Sequence, residues 1–368
     1  MTQWTRRAVL KSSGLAVGAS LLPAVGAAGY PATPDRKLIH LNLNENAFGP
    51  SPRVPDAIQR ELSRVSRYAD ASSAQAFAEQ IAAYERVPVD QIVLGEILGA
   101  LGLYLGSKGG PGGEFVYSAP GYRALIDAAS HVGGVGVAVP LDAEYKNDLP
   151  ALTARVNSKT RALYLINPHN PTGTVSDDPS FKHFLREVSQ KAPVIIDEAY
   201  LEYTPDFETR SAVSLVRDGA DILVFRTFDK IHGLAGLPIG YSIVPRALGN
   251  GLRAQGVGDA ESLGRLNIAA ASAALADRTH VQQVRSAVAA ERRKWAAVLD
   301  NLRLTRTDSE ASFIFFNAGR PQELIAGAMR DRGVVIGRLF APYTNWVRIT
   351  IGRPEENRVA QEGLSAIV

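Results

Sequence analysis

From residue 38 onward, short runs of branched aliphatic residues alternate with longer stretches whose apolar positions recur at three-and-four spacing. The runs at 162–166, 194–196, 222–225 and 239–244 are each bounded by polar, Gly or Pro residues, which predicts buried strands. Helical periodicity at 55–67, 73–86, 121–131 and 179–190 supplies the βαβ alternation of an α/β fold with a mostly parallel central sheet. Beyond Leu252 the pattern changes. Two long helical stretches at 259–276 and 279–302 lead into an apolar run at 311–317, a helix at 322–332 and a last strand at 346–351. This predicts an N-terminal arm over 30–54, a large domain over 55–252 and a smaller α/β C-terminal domain over 253–368, with no repeat or low-complexity linker between them.

Composition narrows the function classes. A chain of 368 residues, 46% hydrophobic and 21% charged, can bury a large core. Its formal charge of +3 arises from 40 basic and 37 acidic residues that are interleaved, with no basic run, so nucleic acid is not an expected partner. Cysteine is absent, which excludes disulfides, thiolate nucleophiles and Cys-based metal sites, and the six scattered histidines suggest no metal centre.

Residues 1–29 differ from the rest. Arg6 and Arg7 precede an apolar, small-residue stretch at 14–28 that contains Pro23 and is too rich in Gly and Ala for a stable membrane anchor. Val25-Gly26-Ala27 and Gly26-Ala27-Ala28 offer small-residue cleavage sites, giving a mature chain that starts near Gly29. The paired arginines resemble a twin-arginine signal, read by machinery that exports already folded proteins, so the expected location is the periplasm.

Chemistry gathers at the ends of the predicted strands, where open parallel sheets place their ligands. Asn167-Pro168-His169-Asn170-Pro171-Thr172-Gly173 follows one strand, Asp197-Glu198-Ala199-Tyr200 ends the next, and Arg226-Thr227-Phe228-Asp229-Lys230 follows a third. Further marks are Asn42-Leu43-Asn44-Glu45-Asn46, Arg67-Tyr68-Ala69-Asp70, Gly233-Leu234-Ala235-Gly236 and Val347-Arg348-Ile349-Thr350. In order and spacing these resemble the fold-type I pyridoxal-phosphate aminotransferases (class I/II), most closely the histidinol-phosphate aminotransferase group, over about residues 41–363.

The resemblance implies a homodimer with shared active sites that uses pyridoxal 5'-phosphate to exchange an amino group between an amino acid and a 2-oxo acid. Lys230 would carry the cofactor as an imine; apolar and Gly neighbours would desolvate it, lower its ammonium pKa and free the amine. Asp197 would keep the pyridine nitrogen protonated, Tyr200 and Asn170 would bond the phenolic oxygen, and Tyr122 would stack on the ring. Arg348 would hold the substrate carboxylate through its planar fork, with Asn44 approaching the same region. Thr227, Gly95 and Glu96 fall where the phosphate is bound, and Tyr68 of the partner subunit would add a hydroxyl there.

At that phosphate cradle the sequence departs from the family. Asp229 replaces the usual serine, Pro238 the usual arginine, and Gly95-Glu96-Ile97-Leu98 a loop with Ser, Ala and Asp. Backbone N–H groups at the following helix start remain to bind phosphate. Arg338 is the candidate replacement cation, for the substrate or for the phosphate. Two alternatives to transamination stay open: a lyase, decarboxylase or racemase on the same lysine, or a binding protein with a degenerate phosphate site. Histidinol phosphate itself is not the expected substrate, because export separates the enzyme from cytoplasmic biosynthesis.

Overall fold

A computed structural model describes residues 38–176 and 179–368 of the chain; the expected leader over residues 1–29 lies outside them, as do residues 30–37 of the expected arm. Among the described residues eleven strands run in chain order: β1 (Ile39–Leu41), β2 (Ile92–Leu94), β3 (Glu114–Ala119), β4 (Val135–Pro140), β5 (Thr160–Ile166) and β6 (Val194–Asp197). They continue with β7 (Ile222–Thr227), β8 (Gly240–Ile243), β9 (Phe313–Asn317), β10 (Val334–Ile336) and β11 (Trp346–Thr350).

Seven of them form one sheet in the order β2-β8-β7-β6-β5-β3-β4. The β3, β4, β5, β6 and β7 pairings are parallel, and both faces are covered, so Leu163, Ile195, Ile196, Ile222 and Val224 are buried. The strand expected at 239–244 departs from that pattern: β8 runs antiparallel to both β7 and β2. Residues 228–239 form turns instead of a crossover helix, and without a crossover the chain can only return antiparallel.

Several helices have readable ends. Asp70 caps the helix Ala71–Glu85 by accepting from the Ser73 amide at 2.8 Å, and the chain leaves it through Arg86 at φ 56°. The helix expected at 259–276 is confined to Arg265–Leu275 by Gly264, and a short turn at Ala260–Ser262 precedes it. The helix Leu98–Ser107 lies against Ala124–Ser130 so closely that a Cβ on Gly102 would collide with the Leu125 carbonyl. Glycine at this point therefore lets the two helices approach this closely.

Apolar side chains pack both faces of the central sheet; a second core surrounds the antiparallel pair β9 and β11, the helix Arg278–Asn301 and the pair β1 and β10. Fully buried Trp295 anchors the second and donates from its indole N–H to Asn357 Oδ1 at 3.1 Å. Residues 38–368 form one compact unit, and no helix among the described residues is long and apolar enough to cross a membrane.

Candidate functional site

The C-terminal ends of β5, β6 and β7 lie side by side, because Ile166 pairs with Asp197 and Asp197 with Phe225. Asp197, only 4% exposed, accepts from the Ala199 amide at 3.0 Å and from the Tyr164 hydroxyl at 3.2 Å. Burial pushes its carboxyl up to about 6, against the pull of those two bonds and of the Lys230 charge. Such a carboxylate is poised to gain a positive partner.

Lys230 lies in the turn after β7, half-buried, with its carbonyl accepting from the Gly233 amide at 2.9 Å. The turn is held from beneath. Arg226, 2% exposed, donates to Glu198 Oε2 at 3.0 Å and pairs with Glu85 at 3.3 Å, while His232 lies 3.3 Å from Glu202. Since Glu198 is next to Asp197, and Arg226 shares the turn motif with Lys230, this buried ion pair fixes the aspartate end relative to the lysine end.

A second set of groups comes from distant sequence. Arg348 on β11 is 7% exposed, donates from Nη1 to Asn170 Oδ1 at 2.6 Å and from Nη2 to the Asn42 carbonyl at 2.8 Å, and leaves Nε buried without a partner. Burial lowers its guanidinium to about 10, with the nearby Arg338 charge adding to the effect. Its charge also lies over the rings of Phe313 and Phe340, at 5.5 and 4.9 Å. Asn44, held at φ 59°, donates from Nδ2 to the Tyr200 hydroxyl at 3.0 Å, and its own amide donates to Thr350 Oγ1 at 3.0 Å. Tyr200 therefore keeps its own proton free to donate toward the cleft. Tyr122 is 48% exposed, and its hydroxyl is raised by burial and by the negative charges of Asp197 and Glu96.

The remaining end of the cleft is acidic. Thr227 at the tip of β7 donates to Glu96 Oε1 at 2.6 Å and accepts from the Asp229 amide at 3.0 Å. Glu96 is open to solvent on one flank, yet the cleft walls push its carboxyl up to about 7; Asp229 and Asp197 add to the rise, while Thr227 and Lys230 oppose it. Asp229 Oδ1 is buried without a hydrogen-bond partner, and burial raises this carboxyl too. Gly95, at φ +109°, turns the chain into this loop and ties it to the sheet through its amide and the Gly240 carbonyl, 2.7 Å apart. The helix that follows begins at Leu98 with Ile97 as an N-cap that offers no side-chain acceptor.

Three expected residues lie apart from this end. Pro238 is exposed, and only its carbonyl is engaged, by Asn267 Nδ2 at 2.9 Å. Arg338 is exposed and lies 4.9 Å from the Phe340 ring centroid, which puts it on the Arg348 side of the cleft. Tyr68 is 80% exposed, its carbonyl taken by Arg265, so within one chain its hydroxyl reaches none of these groups. Tyr164, Asn42, Thr350, Phe313 and Phe340 were not anticipated from sequence. Tyr164 could have been, since in β5 it shares a parallel register with the strand that carries Asp197; the others depend on pairings between distant segments.

Comparison with known proteins agrees with this geometry. The family described as Aminotransferase class I and II matches residues 36–364. A histidinol-phosphate aminotransferase of Symbiobacterium thermophilum is 35% identical over 89% of this chain and 90% of its own. An aromatic amino acid aminotransferase of Thermobifida fusca is 33% identical over 88% of this chain and 89% of its own. The crystal structure of histidinol-phosphate aminotransferase from Sinorhizobium meliloti in complex with pyridoxal-5'-phosphate superposes with a TM-score of 0.80 at 26% identity, covering 90% of this chain and 92% of that one.

Proposed function

The chain belongs to the class I and II aminotransferases, and from that membership we propose how its residues carry out pyridoxal-phosphate-dependent transfer of an amino group between an amino acid and a 2-oxo acid. One observation carries the assignment of roles: Asp197 and Lys230 stand at the ends of adjacent strands, and Arg348 is brought to the loop after β5 from the far end of the chain.

The residues fit the ring and the substrate. Buried Asp197 holds a proton on the pyridine nitrogen, which relieves its own cost of burial. Lys230 would hold the cofactor through its amine and, when that amine is free, would accept the proton from the substrate α-carbon. When bound, the cofactor supplies an electron-accepting ring that stabilises negative charge at the α-carbon. Tyr200, whose oxygen is filled by Asn44, donates to the phenolic oxygen, and Asn170 is left with its amide N–H groups for the same atom once Arg348 occupies its oxygen. Arg348 receives the substrate α-carboxylate through the N–H groups that Nη1 and Nη2 keep beyond those given to Asn170 and Asn42. Tyr122 covers the ring face. The Thr227 end, with two carboxyls, does not match a fully charged phosphate.

Three wider elements belong to the same proposal. Lys230 falls in the expected large domain over 55–252 and Arg348 in the expected smaller one over 253–368, so the substrate site draws on both. A homodimer brings Tyr68 of the partner subunit to the cleft, a role for which its 80% exposure leaves it free. The paired Arg6 and Arg7 and the apolar stretch after them support export through the twin-arginine machinery to the periplasm.

The test is a visible spectrum of the mature protein with added cofactor, beside Lys230→Ala, followed by titration with amino acids. An absorption band that needs Lys230 and bleaches on adding an amino acid, with 2-oxo acid appearing, is the expected result. A band present in Lys230→Ala, or bleaching without 2-oxo acid, would overturn the assignment or redirect it to another reaction on the same lysine.

A further inference from the structure

The acidic end of the cleft has a chemical consequence for the cofactor itself. In pyridoxal the oxygen-bearing arm is next to the aldehyde, on the side away from the phenolic oxygen. With the ring nitrogen at Asp197, the aldehyde carbon at Lys230 and the phenolic oxygen at Tyr200 and Asn170, the arm has one side left. That side is the turn of Thr227 and Asp229 and the loop of Gly95 and Glu96.

This side sets two carboxyls beside the amides at the start of the helix Leu98–Ser107, the donors left for a phosphate, and their charge repels an anion there. The Thr227 hydroxyl, a donor for an anion, is already spent on Glu96 at 2.6 Å. Asp229 adds an oxygen that is buried and without a partner. Gly240 makes room for Glu96 beside the sheet: a Cβ at position 240 would come within 2.7 Å of Glu96 Oε1. No described cation answers these carboxyls except Lys230, which the ring claims; position 238 is an exposed proline, Arg265 is engaged with Glu61 and Asp70, and Arg338 lies on the Arg348 side. A hydroxymethyl arm meets the opposite situation: its one O–H donates to Asp229 or Glu96.

We propose that Glu96 and Asp229 select on the arm of the cofactor, so that the site takes the non-phosphorylated vitamers, pyridoxal and pyridoxamine, at least as readily as their phosphate esters. This rests on the reading of Asp197 and Lys230 as the ring site. It goes beyond that reading by assigning a cofactor form, and it makes the free vitamers candidate amino carriers that enter and leave like substrates. Burial raises both carboxyls, and the Asp229 charge adds to the rise at Glu96.

The test uses pyridoxamine and pyridoxamine phosphate, because pyridoxal closes on itself as a cyclic hemiacetal and would blur the comparison. Dissociation constants are measured by fluorescence or calorimetry for the full mature chain, for Glu96→Gln and for Asp229→Ser; Gln is nearly isosteric, and Asp229 lies in a turn, so either variant can report if the other fails to fold. The expected result is that the natural chain binds pyridoxamine at least as tightly as its phosphate ester, to within the roughly twofold error of such constants, and that either variant tightens the phosphate ester by about tenfold or more while leaving pyridoxamine unchanged or weaker. A preference of more than about twofold for the ester in the natural chain, or variants that move both ligands alike, would overturn the proposal. Failure of the ring-site reading looks different: neither ligand binds any of the three proteins, and the proposal falls with it.

Discussion

Arg348 Nη1 and Asn170 Oδ1 are 2.6 Å apart although 178 residues separate them in the chain. The bond consumes the acceptor of Asn170 and one edge of the guanidinium, so each residue orients the other before any ligand arrives. The planar fork matters here: lysine is a point charge that cannot reach Asn170, the Asn42 carbonyl and a carboxylate together. Arg348→Lys is expected to lower kcat/KM for the amino acid on the order of a hundredfold, mostly through KM, while cofactor uptake measured in the visible spectrum is retained.

Asp197 predicts an unusual pH response of the cofactor-free chain. Its carboxyl rises from 3.8 in the unfolded chain to about 6 when folded, so between those values the folded state holds the extra proton. Stability is then fully present below pH 3.8 and is lost as pH rises through 6, by about 3 kcal/mol from this group. Denaturant titrations from pH 4 to 7 should show Asp197→Asn gaining on the natural chain by that order. Parallel curves for the two proteins would contradict the assignment.

The buried pair of Arg226 and Glu198 predicts a stability effect separate from chemistry. Arg226→Met leaves Glu198 and Glu85 without their cation, and removing one partner of a buried ion pair costs about 3 to 5 kcal/mol. Chemical denaturation should locate most of the loss in the midpoint. Restoring a cation with Arg226→Lys should recover less than half, because the ammonium cannot also bond the Ser211 hydroxyl in the guanidinium geometry.

Glu96 predicts how the phosphate ester binds as pH changes. With its carboxyl held up at about 7, it is increasingly neutral below that pH and increasingly negative above it; the groups facing it are Thr227, Asp229, Asp197 and Lys230. Affinity for pyridoxamine phosphate should weaken as pH rises from 6 to 8, and Glu96→Gln should flatten that dependence. A slope of the same size in the variant would mean that another group titrates.

Much of the large lobe is legible because burial on both faces of a parallel sheet leaves unbroken aliphatic runs, as in β5, β6 and β7. Strand-end chemistry follows those runs directly, which is why Asp197 and Lys230 could be placed from sequence. β8 reads as one more parallel strand until the turns at 228–239 are seen to lack a crossover. The strands β1, β2, β3, β4 and β10 were not among the expected ones: β1, β2 and β10 have three residues each, β3 carries its apolar run between Glu114 and Ser118, and Val135 to Pro140 alternates with glycine and exposed positions, which breaks the apolar run.

By itself, the sequence determined the α/β class, the order of elements and the three strand-end segments, since periodicity and turn residues are local properties of the chain. Tertiary structure alone decided that Asn170 meets Arg348, that Asn44 fills the Tyr200 oxygen and that Glu96 takes the Thr227 hydroxyl. Those are pairings of polar groups from distant segments. Their geometry is fixed only when the sheets and helices that carry them pack, because a polar side chain has no periodicity that announces its partner.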